Sequence, residues 1–183
     1  MAGEEFYDVS LLRQLATNLF YGCGYNFYRI ENQLRADDQL VRSKAAPLLG
    51  EAMSSVCAAE SAYRRDFLPA PTRAKPFPDS EAVTNAQRLE QLARAIGAIE
   101  AALQHQPVPA NDRMTQRYRE EGATLKKLLG HDERLVGQCE LLRTTVASQD
   151  PSAILKKLPD LEGGIAALRA TLHDREMVLL NPV

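Results

Sequence analysis

The sequence is poor in cysteine, and its few cysteines lack the spacing of a metal or redox motif. The chain of 183 residues contains three, Cys23, Cys57 and Cys139, and no Cys-x-x-Cys pair. Zinc knuckles and thioredoxin-type centres are therefore excluded. An odd number of widely spaced cysteines indicates free thiols in a reducing compartment, so we expect a cytoplasmic protein. A Cys23–Cys57 disulfide is not expected, because the two residues would be offset by about 12 Å on adjacent helices.

Long apolar runs and a dominant charge are also missing. No run approaches the roughly 20 apolar residues of a membrane span. The N-terminus, MAGEEFYDVS, is acidic and has no apolar core of a signal peptide. Lysine and arginine total 22 against 24 aspartates and glutamates, a net charge of −2. We therefore expect contact with neither a membrane nor a nucleic acid.

Familiar catalytic and metal-binding motifs are absent as well. The sequence contains no P-loop, GxGxxG, GxSxG, EF-hand or HExxH pattern. The Glu-x-x-His motif of di-iron bundles is missing, because Ala102, Leu128 and Ala170 stand three residues before the three histidines. We therefore predict no metal and no cofactor, and a non-enzymatic protein is favoured over an enzyme.

What the sequence has in abundance is helical periodicity. Apolar residues recur every three or four positions along most of the chain, and the sustained alternation typical of strands is not found. The predicted fold is all-α: one domain, 1–183, forming an antiparallel helical bundle of four main helices plus two short C-terminal helices. A proline-rich connector at 68–79 is predicted to separate the first helical hairpin from the second.

The first two helices are predicted with one ambiguity each. The first runs from about Asp8, which can cap it, to Arg35. The residues at 36–38 form either a turn or part of a helix. The second helix ends near Phe67, and Pro47 requires either that it begin near Ser43 or that it kink just before the proline.

The later helices have clearer boundaries. The third begins at Asp79 or Ser80, and the fourth begins at Asn111 or Asp112 and is either continuous or split at Gly130. Their apolar seams follow a near-heptad spacing, which predicts that these two helices pack antiparallel at about 20°. A short helix begins at Asp150-Pro151 and a last one at Pro159-Asp160.

The stretch FYGCGYNFY, at 20–28, places two glycines around a cysteine within the first helix. Its small residues thin one face, which provides a candidate pocket or close-packing site comprising Phe20, Gly22, Cys23, Gly24 and Phe27. The opposite face carries a candidate interface comprising Tyr7, Tyr21, Tyr25 and Tyr28, because tyrosine suits a protein contact. Packing within the chain is favoured; a subunit interface and a ligand pocket are the alternatives.

A candidate polar seam comprises Glu121, His131 and Asp132, where the fourth helix would be expected to carry apolar residues. Exposure at a break near Gly130 is the favoured interpretation. The alternatives are that the carboxylates set the register of the bundle or bind a ligand, and buried carboxylates would require arginine partners such as those of the first or second helix.

Together these patterns favour a non-enzymatic cytoplasmic bundle that acts through protein–protein contacts, as an adaptor, regulatory or chaperone-like subunit. We expect a protein partner or a homo-oligomer. The alternative is a small-molecule-binding bundle, or an enzyme, with an aromatic pocket around Gly22–Phe27.

Overall fold

A computed structural model describes residues 3–21, 34–73, 76–106, 122–148 and 150–180. These ranges contain a short 3-10 turn and six α-helices and no β-strand, which confirms the predicted all-α bundle. The elements are the 3-10 turn Glu4–Tyr7, α1 (Val9–Tyr21), α2 (Leu34–Phe67), α3 (Ser80–His105), α4 (Gly122–Val146), α5 (Pro151–Lys156) and α6 (Leu158–Leu180).

Three aspartates begin helices where the sequence predicts them. Asp8 accepts hydrogen bonds from two backbone N–H groups of the first turn of α1. Asp79 accepts one from Ala82, and Asp150 accepts one from Ser152 at the start of α5. Each cap satisfies a donor that the helix itself leaves unpaired, so these starts are fixed by local sequence.

The predicted start of the second helix near Ser43 is wrong, whereas the alternative, a kink just before Pro47, stays a prediction. One helix of 34 residues runs through Pro47. The proline and Ser43, whose carbonyl loses its helical partner, both lie on the exposed side, so the lost hydrogen bond faces solvent. The apolar face continues from Ala45 to Leu49, both fully buried, and holds the helix in place across the proline.

α4 is likewise continuous through Gly130, from Gly122 to Val146. Its buried residues continue on both sides of that glycine, with Leu128 before it and Leu135 after it. One glycine inside a helix costs only about 1 kcal/mol, which the packed seam offsets.

α4 lies at the centre of the bundle and packs against α1, α2 and α6. α3 packs mainly on α2 and secondarily on α6. The pairing predicted between the third and fourth helices is therefore wrong over the described residues. Near-heptad seams show that a helix has a partner without showing which helix it is.

The apolar seam of α3 is buried, and the inward face of α2 is buried from Val41 to Tyr63. The α3 residues are Leu89, Leu92, Ile96, Ile99 and Leu103. On α2 the exception is Phe67, which is 53% exposed at the end of the helix. α2 and α3 thus form an antiparallel hairpin joined by the connector at 68–79.

Two glycines let the N-terminal segment approach the bundle closely. Gly137 of α4 lies directly against the backbone of Leu12. Gly164 of α6 lies against the ring of Phe6, whose carbonyl accepts a hydrogen bond from Gln138 Nε2 at 3.0 Å. The 3-10 turn and α1 are thereby seated on α4 and α6.

The last helix is longer than the short one predicted. α6 has 23 residues and includes much of the apolar C-terminal segment, where Leu179 is buried. None of the helices in the described ranges combines the length and the apolarity needed to cross a membrane.

Candidate functional site

A buried charge network joins four helices at one end of the bundle. Its centre is Arg175 of α6, which is 1% exposed. The guanidinium donates to Asp132 of α4 and to Asp38 of α2, each at 2.6 Å. It also donates to Gln106 Oε1, just after α3, at 2.9 Å. One arginine side chain therefore connects the central helix to its neighbours.

A second arginine extends the network to the end of α3. Arg42 of α2 pairs with Asp38 at 2.9 Å and donates to the carbonyls of Leu103, Gln104 and Gln106. These carbonyls belong to the last turn of α3 and to Gln106 just after it, and the helix itself leaves such groups unsatisfied. The Gln106 side chain in turn donates to the Leu172 carbonyl of α6 at 2.7 Å.

The polar groups of the network are hydrogen-bonded to one another. Each carboxylate accepts charge-assisted hydrogen bonds from an arginine, the strong class of protein hydrogen bond. In some proteins, buried ionic groups fix which helices meet and at which register. We therefore interpret the network as a structural fastening of the bundle.

The favoured interpretation of the polar seam, exposure at a break, is wrong for Asp132. The residue is 1% exposed, and it pairs with Arg175 of α6. Burial is tolerated because Arg175 compensates the charge. Glu121 lies outside the described residues.

His131 is half-buried beside the network. Its Nδ1 has no hydrogen-bond partner among the described residues. Burial and the neighbouring Arg134 lower the pKa of its imidazole, although Asp174 and Asp132 act in the opposite direction. We therefore expect a neutral ring at pH 7, which contributes no charge to the network.

Most of the aromatic and glycine-flanked segment lies outside the described residues. Phe20 is buried on the inner face of α1, and Tyr7 is 59% exposed on the 3-10 turn. Tyr21 ends α1, but its side chain lies outside the described residues, as do the following positions. These are Gly22, Cys23, Gly24, Tyr25, Phe27 and Tyr28. The choice between core, interface and pocket at this segment stays a prediction.

The reactive groups outside this network can be compared only over the residues that the structure describes. Within the described ranges no three His, Cys, Asp or Glu side chains come together in a way that could hold a metal ion. Cys57 and Cys139 are both free thiols, the first exposed and the second buried.

The two thiols should differ sharply in reactivity. Cys139 is fully buried in α4, and burial, with a smaller effect of Glu140, raises the pKa of its thiol. Since the thiolate is the nucleophile, we expect maleimide to label Cys57 in the folded protein and Cys139 only after unfolding. Peptide mass mapping after timed labelling measures both rates. Equal labelling of the two in native buffer would contradict the buried position of Cys139.

The α2–α3 hairpin presents a groove of two depressions that the sequence did not single out, the first with a mainly apolar lining and the second with a mixed polar and apolar lining. A depression of about 210 Å³ has a floor formed by Met53, Cys57, Ala93 and Gly97. A second, of about 360 Å³, lies under the connector. Its apolar lining consists of Leu68, Pro69, Pro71, Pro78 and Val83. Glu90 borders both depressions, so they are neighbours along one face.

A ridge of charged side chains separates the two depressions, and salt bridges join its members. These are Glu60, Arg64, Glu90 and Arg94. Arg64 contacts Glu60 and also Glu90 at 3.1 Å, and Arg94 contacts Glu90. The arginine side chains are 46% and 76% exposed, whereas Glu60 and Glu90 are 17% and 38% exposed. The two arginine side chains are therefore more exposed than the two glutamates with which they pair, and the four charges balance.

Comparison with known proteins finds no matching family model, no matching curated protein and no matching solved structure. The function of the chain must therefore be inferred from the arrangement of its own residues.

Proposed function

We propose that the protein is a non-enzymatic, cytoplasmic helical bundle that acts through protein–protein contacts, as an adaptor, regulatory or chaperone-like subunit. The observation that carries the proposal is the outer end of the α2–α3 hairpin, where aromatic side chains lie in solvent beyond the end of α4. The charged groups of the Arg175 network are hydrogen-bonded to one another, so the surface of this hairpin is the better candidate for function.

The hairpin extends past the central helix. Glu51 of α2 pairs with Arg143 of α4 at 3.5 Å, which sets the two helices side by side at that level. The two helices run in the same direction, since both contact Arg175 at positions that come before this ion pair. α4 therefore ends at Val146, about 5 Å further along, whereas α2 continues for about 24 Å to Phe67. We call the last turns of α2, the connector and the first turns of α3 the outer end of the hairpin. α5 packs on part of α2 and α3.

Aromatic groups mark this outer end. Phe77 of the connector is 85% exposed, and Phe67 stacks on Tyr63 with ring centroids 4.6 Å apart. The Tyr63 hydroxyl accepts a hydrogen bond from Asn85 of α3 at 3.2 Å. The Phe67 ring therefore packs on a side chain that is itself hydrogen-bonded to α3. Exposed aromatic side chains held in place by such contacts are typical of the residues that anchor protein contacts.

Site-specific photo-cross-linking in the producing cells tests the proposal. A benzophenone amino acid replaces Phe77 in one variant and Ala166, an exposed residue of α6, in the matched control. We expect a covalent adduct with a defined protein at position 77 and none at 166. The yield should fall several-fold when Phe67→Ser is added, because an anchor is then lost.

Two results would overturn the proposal. One is the absence of any adduct at position 77, or an equal yield at both positions. The other is a thermal-shift screen in which a metabolite or metal raises the melting temperature strongly and specifically, which would favour the small-molecule alternative.

A further inference from the structure

Three buried polar atoms of α4 lie along one stripe of the helix and lack hydrogen-bond partners. They are His131 Nδ1, Arg134 Nε and Gln138 Oε1, none of which is bonded to any of the described residues. Since an α-helix turns by about 100° per residue, the three positions fall within an arc of about 60°. Each polar group that is buried without a partner costs stability, and contact with water would remove that cost.

The stripe runs along the border between α4 and the N-terminal segment, 3–21, which comprises the 3-10 turn and α1. Gln138 donates through Nε2 to the Phe6 carbonyl of the 3-10 turn at 3.0 Å. Arg134 and His131 come one and two turns before Gln138 on the same side of α4. Detachment of the N-terminal segment would therefore open the stripe to water.

The N-terminal segment is held less firmly than α6, which flanks the stripe on its other side. The Phe6 ring lies against Gly164 of α6. Arg175 joins α6 to α4 and to α2 through two buried ion pairs. α1 pairs with α4 through Arg13 and Glu133, an ion pair whose arginine is 63% exposed. Exposed pairs of this kind contribute little to stability, so α1 is the easier of the two helices to release.

We propose that the N-terminal segment is a strap that detaches from α4 while the rest of the bundle stays folded, and that His131 makes its detachment sensitive to acid. Detachment also exposes Phe6, Leu12 and Ala16, all of which are buried in the closed form. The loss of this apolar burial keeps the closed form predominant at pH 7. The inference concerns a conformational device of the fold and does not depend on the proposed function.

Acid favours the open strap because of the surroundings of His131. Burial, Arg134 and Arg175 lower the pKa of its imidazole in the closed form, against the opposite effect of Asp174 and Asp132. An exposed imidazole has its ordinary pKa of about 6.5. The open form therefore binds a proton more readily than the closed form. The fraction of open molecules should rise as the pH falls below about 6.5, by at most about tenfold per pH unit.

Hydrogen exchange of the full-length chain tests the strap, with rates measured by mass spectrometry and corrected for the intrinsic rate at each pH. At pH 7 we expect peptides from α1 to exchange at least about tenfold faster than peptides from α3, because α1 opens without global unfolding. Arg134→Met removes one unpaired polar atom and should slow exchange in α1 at least about fivefold. Lys126→Met, at an exposed position of the same helix, is the matched control and should leave that rate unchanged.

A matched pair of histidine variants tests the sensitivity to acid. Between pH 7 and about pH 5.5, the corrected exchange rate of α1 should rise several-fold in the original chain. The same rise is expected in His173→Gln, since His173 is exposed on α6. His131→Gln should lose most of it, because glutamine does not titrate.

Three outcomes would overturn the inference. In the first, α1 and α3 exchange at the same rate at pH 7, so that only global unfolding exposes α1. In the second, exchange in α1 is as fast in Arg134→Met as in Lys126→Met. In the third, His131→Gln keeps the full pH dependence that His173→Gln shows.

Discussion

Replacing Arg175 with methionine should lower the free energy of unfolding by about 3–5 kcal/mol. Methionine keeps much of the length of the side chain and removes the charge, which leaves Asp132 buried without the cation that it faces at 2.6 Å. Asp38 keeps Arg42 but loses its contact with α6. Urea unfolding followed by circular dichroism measures the loss.

The matched control is Arg169→Met, an exposed arginine on the same helix. Its effect should stay within about 0.5 kcal/mol, because surface substitutions away from specific contacts change little. Adding Asp132→Leu to Arg175→Met should recover part of the loss, since the uncompensated carboxylate is then gone. If Arg175→Met and Arg169→Met lost the same free energy of unfolding, Arg175 would not be needed to compensate the buried charge of Asp132.

The starts of helices and their buried faces could be predicted from the sequence because they depend on neighbours in the chain. Asp79 caps the helix that begins one residue later, and Asp150 does the same before Pro151. Leu89 and Ile96 are buried because they share one face of one helix. Such signals lie within a few turns and need no knowledge of the fold.

Pairings between distant segments could not be predicted in this way. Arg175 lies on the buried face of α6, three residues after Leu172, and an arginine on an apolar face is a signal that a partner is needed. The sequence does not show that the partners are Asp38 and Asp132, which are far away along the chain. The continuity of α2 through Pro47 has the same origin, because it depends on tertiary packing.

The groove escaped prediction for a related reason. Met53, Cys57, Ala93 and Gly97 read as ordinary residues beside two apolar seams. They form a depression only because α2 and α3 pack together, which sets the small side chains of one helix beside those of the other. If α3 had packed against α4 instead, as the sequence predicted, these residues of α2 and α3 would not have been brought together.

Gly137→Ala should be the second strongly destabilising substitution, with a loss of about 3 kcal/mol. A Cβ at this position would lie 2.8 Å from the Cα of Leu12 and closer still to its carbonyl oxygen. Both atoms belong to backbone, so no side chain can rotate away, and α1 must move off α4. We therefore expect a lower urea midpoint and a loss of the contacts that seat Leu12 in the core.

Gly130→Ala is the matched control, because it makes the same change on the same helix. No atom of a neighbouring element lies within 4 Å of a Cβ built there, so the substitution should bring only the better helix propensity of alanine. That gain is about 1 kcal/mol, of the opposite sign to the Gly137 effect. If Gly137→Ala and Gly130→Ala were stabilised alike, α1 could not lie as close to α4 as the contact between Leu12 and Gly137 requires. If Gly137→Ala is destabilised and Gly130→Ala is stabilised, the close contact between α1 and α4 depends on the absence of a side chain at position 137.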